Sequence, residues 1–309
     1  MIRIFMSPNR CVNTGQTPGD DVIDCHVHLW DVDGGYPWIQ PGSLHHRTFT
    51  AADLAESGAG LELTGAILVE ASRGDHGENV LLHDLRLRHP DLLLGHVGNL
   101  NSCADLGPSR FTELLAETRP NGMRLGGASW DATPASARAL VPAMAARGVA
   151  LELNLHHAAV PVAAGVAARH PGLTVVVDHL GNPPSLRTAG PGEWREQVRR
   201  AARVPNVIMK ISGLLTQQHG VPGEQVADLV AHVVDAFGPD RCMVGSDWPI
   251  CLSRGSRAAS LRLARRGLRG VDDGELLRVL RTTAERVYGL AARVDNDRGP
   301  CFDATVDDR

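Results

Sequence analysis

Short apolar runs alternate with segments of helical periodicity along nearly the whole chain. The runs are Val22–His28, Gly65–Glu70, Leu92–Val97, Gly122–Leu125, Val149–Leu155, Leu173–His179, Val207–Ile211 and Cys242–Ser246. Several are rich in Val and Ile or flanked by Gly and Asn, as expected of parallel strands buried on both faces. Between them, Asn79–His89, Pro134–Arg147, Val160–His170 and Gln225–Phe237 carry apolar residues at helical spacing. Breaks at His89-Pro90 and His170-Pro171 punctuate the helix ends. Eight strands, each followed by a helix-sized segment over roughly 270 residues, predict an α/β fold, the (β/α)8 TIM barrel. A doubly wound open sheet is the competing topology, but no GxGxxG follows the first strand, so nothing favours a dinucleotide fold. The barrel is predicted over 21–290. Residues 1–20 are expected to be loosely ordered, and 291–309, acidic and with little to bury, to be disordered.

Composition then narrows the partners. The 309 residues are 43% hydrophobic and carry 31 basic and 35 acidic side chains, a balance that excludes bulk nucleic-acid affinity as the main activity. The best apolar run, Ala158–Ala168, is too short to span a bilayer. Residues 1–20 have no continuous apolar stretch of the kind a signal peptide needs. The six cysteines are scattered without a CxxC pair and read as reduced, mostly buried thiols. These features together point to a cytoplasmic protein acting on a small molecule, with homo-oligomerisation left open. Thirty of the basic residues are Arg and one is Lys210, for which a G+C-rich coding bias is the simplest explanation. The six arginines between Arg254 and Arg269, with no acid among them, are expected to form a solvated helix flank.

In a barrel the active site lies at the C-terminal ends of the strands, so the polar residues closing each apolar run are the candidates. The first run ends Asp24-Cys25-His26-Val27-His28, and strand alternation puts His26 and His28 on one face. Two imidazoles so placed can share a metal or hold a water or a carbonyl, although a structural histidine pair is an equal competitor. The sixth run ends Asp178-His179-Leu180-Gly181, which places His179 where the barrel opens, and the eighth ends Gly245-Ser246-Asp247-Trp248-Pro249. A carboxylate at the last strand's exit can serve as metal ligand, general base or both. The other histidines, among 14, fall in loops, helix ends or unsupported positions, with His156 a fourth candidate because it shares a face with Asn154.

Several further positions carry weaker expectations. Arg124 at the end of the fourth run offers a guanidinium fork for a carboxylate or hydroxyls, with a structural ion pair as the equal alternative. Glu70 closes the second run, and Ser72 in the polar loop after it is placed to reach substrate, while Asp75 and His76 are expected to face solvent. Tyr36 is expected to cap the site, and Trp30, Trp38 and Trp248 to wall the pocket or pack. Lys210 is assigned to a buried or strand-edge ion pair.

The motifs Ile23 to Asp31, Tyr36-Pro37-Trp38, Val177 to Gly181, Met209 to Leu214, Phe237 to Arg241 and Gly245 to Pro249 occur in this order. Over about residues 22–290 the chain thereby resembles the amidohydrolase superfamily, and within it the branch of sugar lactonases and 2-pyrone-4,6-dicarboxylate lactonases. The resemblance implies a (β/α)8 barrel and a hydrolase whose site includes His26, His28, His179 and Asp247. It also implies room for one divalent ion, Zn or Mn, on those four residues, or a site that works without metal. Metal-rich members carry a bridging Lys or Glu after strand 4 and a His after strand 5. Here Arg124 takes the first position and cannot be carbamylated, so two metals are not expected, whereas His156 keeps a decarboxylase-like arrangement open.

The function expected is hydrolytic opening of a small lactone, with Asp247 activating water beside His26, His28 and His179, and with Arg124, Ser72, His156 and Tyr36 contacting substrate. A metal-dependent decarboxylase of an aromatic or muconate-type acid is the alternative on the same barrel, and a non-catalytic small-molecule binder is a third reading.

Overall fold

All eight apolar runs form strands. In a computed structural model that describes residues 21–290, they are β1 (Val22–Val27), β2 (Leu63–Val69), β3 (Leu93–Asn99), β4 (Gly122–Gly127), β5 (Ala150–Leu155), β6 (Val175–Val177), β7 (Val207–Ile211) and β8 (Cys242–Val244). The terminal segments 1–20 and 291–309 lie outside the described residues. The strands pair in sequence order, all in parallel. The barrel closes where β1 meets the segment after β8: Asp247 N donates to His26 O at 2.9 Å and His28 N to Trp248 O at 2.8 Å. Helices lie between the strands, as parallel pairing requires.

Strand alternation stacks the barrel interior in layers. The lowest is apolar and buried, built from Ile23, Ile67, Ala150, Val176, Ile208 and Met243. Val287 and Tyr288, from the last helix (Thr283–Tyr288), join the same cluster. Fully burying an aliphatic side chain of this size contributes roughly 1.5–3 kcal/mol. Two residues further along the same strands, Glu152 follows Ala150, Asp178 follows Val176 and Lys210 follows Ile208, so a charged layer sits directly on the apolar one. Lys210 lies 2.6 Å from Glu152 and 3.0 Å from Asp178, and Tyr288 Oη donates to Glu152 at 2.5 Å. Burial of these charges is tolerable only because they are paired.

The structure departs from the sequence pattern in three places. The segment Pro134–Arg147 is not one helix but two short ones, Ala135–Arg138 and Val141–Ala145. Pro142 lacks an N–H and cannot donate to the carbonyl of Arg138, so the first helix does not continue through it, while its place in the first turn of the second helix is tolerated. Arg257, within the run expected to be solvated, is buried, donating to Asp24 Oδ2 at 2.8 Å and to Leu54 O at 3.0 Å. Its helix, Arg257–Arg266, is capped by Ser256. Finally, β1 carries an irregularity between Asp24 and Val27, where three steps on β1 match two on β2. Cys25 packs in the barrel interior while Val27 packs in the outer cluster with Leu54 and Phe49, so the bulge falls at His26.

The four cysteines among the described residues, Cys25, Cys103, Cys242 and Cys251, are free and buried. No helix among the described residues is long and apolar enough to cross a membrane.

Candidate active site

The C-terminal mouth of the barrel holds a cavity of about 460 Å³ whose walls include His28, Ser72, Arg124, Asn154, His156, His179 and Asp247. His26 lies at its base, fully buried, with its ring 4.9 Å from that of His28 and 4.6 Å from that of His179. Strands 1, 6 and 8 therefore deliver His26, His28, His179 and Asp247 to one place. Asp247 and His179 both leave their strands in the left-handed region, at φ 62° and 52°. Such backbone costs of order 1–3 kcal/mol and persists only where surrounding contacts impose it.

Each imidazole is oriented by a specific partner. His28 Nδ1 lies 3.0 Å from Val69 O and 2.9 Å from Glu70 O, so it carries the proton and leaves the Nε2 lone pair facing Asp247 Oδ1 at 3.5 Å. His179 Nδ1 lies 2.9 Å from Ser212 Oγ. A Cβ at Gly213 would come within 2.7 Å of that same Nδ1, and Gly213 has φ +66°, so the turn after β7 admits only glycine comfortably. His26 sits between two cations: Lys210 Nζ is 3.3 Å from Nδ1 and Arg124 Nη1 is 3.4 Å from Nε2. Asp178 Oδ1 is 3.6 Å from its Nδ1 and Asp247 Oδ1 is 3.8 Å from its Nε2. Gly245 is also dictated by proximity, since a Cβ there would meet His26 Cβ at 2.7 Å.

Burial, reinforced by the nearby cation Lys210, holds His26 well below the usual histidine range despite Asp178. His179 is lowered for the same first reason, burial, with Arg124 and Lys210 adding to it. Burial alone would raise Asp247, but the imidazoles of His179, His28 and His26 outweigh it and bring its pKa down to about 2. The cavity floor thus favours the ionised form of Asp247. Glu152, deeper in, is pushed up to about 7 by burial and by Asp178, with Lys210 opposing.

The β2 side is held by a carboxylate network. Arg124 donates through Nε to Glu70 Oε1 at 2.5 Å and through Nη2 to Glu70 O at 2.9 Å. Glu70 Oε2 accepts from Ser72 N at 2.6 Å and from Asn99 Nδ2 at 2.9 Å, while Glu78 accepts from Ala71 N and Arg73 N. These bonds fix Ser72 against the cavity at φ 59°. Asp75 and His76 are exposed, the former paired with Arg73.

Tyr36 is not where the sequence suggested. Its ring is buried in the aromatic and aliphatic cluster of the loop after β1 and does not line the cavity; Trp38, two residues on, does. Trp30 and Trp248 pack in that same cluster. His156 lines the cavity at its rim but is exposed and lies outside the grouped metal-ligating side chains. Sequence reasoning missed Glu152, Ser212 and Gln217. Glu152 had a signal, a lone charge inside an apolar strand and two residues before Asn154, whereas Gln217 comes from a short helix after β7 and had none.

The donor set fits one divalent ion. His26, His28 and Asp247 bring ligand atoms within 4.8 Å of one another, and so do His26, Asp178 and His179. His28 meets the usual requirement that the outer ring nitrogen be pinned while the inner one stays free. The cations Arg124 and Lys210 on both sides of His26 leave no anionic bridge for a second ion.

Residues 23–290 match the family described as amidohydrolase. A relative from Burkholderia multivorans named L-fucono-1,5-lactonase is 29% identical over 295 residues, covering 88% of this chain and 97% of its own. A solved amidohydrolase from Burkholderia multivorans with bound zinc superposes with a TM-score of 0.76 at 26% identity, over 87% of this chain and 99% of that one. A 2,6-dihydroxybenzoate decarboxylase from Rhizobium shares the barrel at TM-score 0.59 and 16% identity, over 88% and 99% of the two chains. The matched span takes in every strand and every side chain at the cavity floor, and the chain belongs to the amidohydrolase family.

Proposed function

We propose that the chain hydrolyses a neutral sugar lactone, and that Asp247, His26, His28 and His179 carry the reaction. The observation that bears most weight is Asp247, buried at the cavity floor with Oδ1 3.5 Å from His28 Nε2 and 3.8 Å from His26 Nε2. Lactonase relatives support the reaction class. In this reading a water attacks the ester carbonyl as Asp247 takes its proton. If Ser212 Oγ donates to His179 Nδ1, His179 keeps a proton on Nε2 for the oxyanion. Collapse then breaks the bond from acyl carbon to ring oxygen, and the proton passes from Asp247 to the departing alkoxide. Asp247 is a weak base, but it holds the proton only until a far stronger base, the alkoxide, is formed.

A single divalent ion on His26, His28 and Asp247, as the zinc-bound relative suggests, would polarise the carbonyl or acidify the water. Among the cavity's charges, Arg124 is largely neutralised by Glu70, and Ser72, Asn154, Thr216 and Gln217 are uncharged. A dicarboxylate would bring two negative charges towards Asp247, and Arg124, the cationic side chain among the described residues of the wall, is already paired with Glu70, so hydroxyl-rich lactones fit better. Decarboxylation has no comparable support, because His156 faces the rim and Arg124 is already paired.

A pH-indicator screen of sugar lactones and pyrone dicarboxylates, run before and after chelation with metal analysis, tests the proposal. Faster opening of neutral sugar lactones is expected. Preference for the dicarboxylates, or release of carbon dioxide from an aromatic acid without any lactone opening, would overturn it.

A further inference from the structure

The reaction cavity does not end at its rim. A second hollow, about 650 Å³, adjoins it on the β5–β7 side, and His156 and Gln217 belong to the walls of both. Ligand sites of roughly 300–1,000 Å³ already enclose drug-sized molecules, so the inner cavity alone has room for a monosaccharide lactone. The outer hollow is left without an occupant on that count.

Resting on the lactonase reading above, we propose that this outer hollow is a second sugar subsite, and that the preferred substrate is the aldonolactone of a disaccharide. The inner cavity would take the lactone ring, and the outer one the glycosyl unit attached to it. The chemistry of the walls favours hydroxyls over charge. Among the described residues lining the outer hollow, Glu193 is the one carboxylate, none is Lys or Arg, and Asn182, Gln197 and Gln217 supply neutral amides. A glycosyl ring, with donors and acceptors on every side, matches such amides, whereas an anionic substituent would meet Glu193. The two cavities are also mechanically joined: Asn182, in the outer wall, donates to Asn154 Oδ1 of the inner wall at 3.2 Å and to Leu155 O at 2.8 Å. Glu193 and Gln197 are themselves fixed by a 3.1 Å bond one helical turn apart.

The test compares kcat/KM of the full chain for glucono-1,5-lactone with that for its 4-O-glycosyl derivatives, cellobiono-, maltobiono- and lactobiono-1,5-lactone. At least one disaccharide lactone is expected to exceed its monosaccharide parent tenfold or more. Ala189→Trp, at an exposed position in the outer wall, is expected to reduce that ratio at least tenfold by filling the hollow. Gln197→Ala, a milder change on the same wall, is expected to reduce it severalfold. Monosaccharide lactones opened faster than every disaccharide lactone would overturn the second subsite while leaving the lactonase reading intact. A disaccharide preference unmoved by both variants would overturn the placement of the subsite. Opening of none of the lactones would overturn the lactonase reading itself, and the subsite with it.

Discussion

Around the barrel mouth, the β8–β1 seam and the β5–β7 rim hold their side chains in different ways. At the seam everything is buried and fixed more than once. Asp24 accepts from Ser246 N at 2.7 Å and from His26 N at 3.3 Å, and takes the Arg257 guanidinium from outside the barrel at 2.8 Å. One carboxylate thus ties the strand that carries His26 and His28 to the segment that carries Asp247. At the rim, His156 and Glu193 are exposed and Gln217 is only partly buried. Hydrogen bonds within the seam set the positions of reacting groups to a fraction of an ångström, which is what a proton transfer needs. The rim has no such demand, and its hydroxyl- and amide-bearing walls can vary without disturbing the seam. On the proposed reading, proton transfer at Asp247 belongs to the seam and substrate choice to the exposed rim, with buried His179 after β6 standing between them.

The strongest way to break the seam is from outside the cavity. Arg257→Ala leaves the Asp24 carboxylate buried without its cation, and a loss of about 3–5 kcal/mol in unfolding free energy is expected by denaturant titration. Replacing both partners by apolar residues should recover much of it. Acid probes the same region next. His26 and His179 have folded pKa values below the unfolded value, so below about pH 6.5 the unfolded chain binds protons that the native one refuses. The share of the chelated protein's stability that depends on His26 and His179 should therefore be full above pH 6.5, with Glu152, raised to about 7, acting in the opposite direction. It should then fall by up to about 1.4 kcal/mol per pH unit for each histidine as the pH drops. Chemical denaturation at pH 7.5 and 5.5 measures this. Gly213→Ala forces a Cβ against His179, and a drop in kcat of about tenfold, with a smaller change in KM, is expected from steady-state kinetics. At the rim the effect should be least: His156→Ala is expected to raise KM a fewfold and leave kcat within about twofold.

That division also explains what could be read before the structure. All eight strands were visible because parallel strands buried on both faces must be apolar, and turn residues bound them. His26, His28, His179 and Asp247 stood out because each is a polar side chain closing such a run, and the barrel brings those ends together. The partners that orient them did not stand out. Ser212 behind His179 and Asp24 bridging two strands act through distances set only when the sheet closes. Arg257 looked like one of six surface arginines, since its burial depends on where its helix docks against β1. Tyr36 was misplaced because its loop folds down into a cluster with Phe49 and Leu54 instead of over the cavity. The bulge at His26 is a backbone event with no Gly or Pro to announce it.

The most direct measurement is the opening rate of a neutral sugar lactone by Asp247→Asn, compared with the parent protein at matched metal content and with folding checked by circular dichroism. Asparagine keeps the shape but cannot take up a proton from water, and a fall in kcat of about a hundredfold or more is expected. Near-parental turnover by a folded Asp247→Asn protein would contradict the role given to this carboxylate.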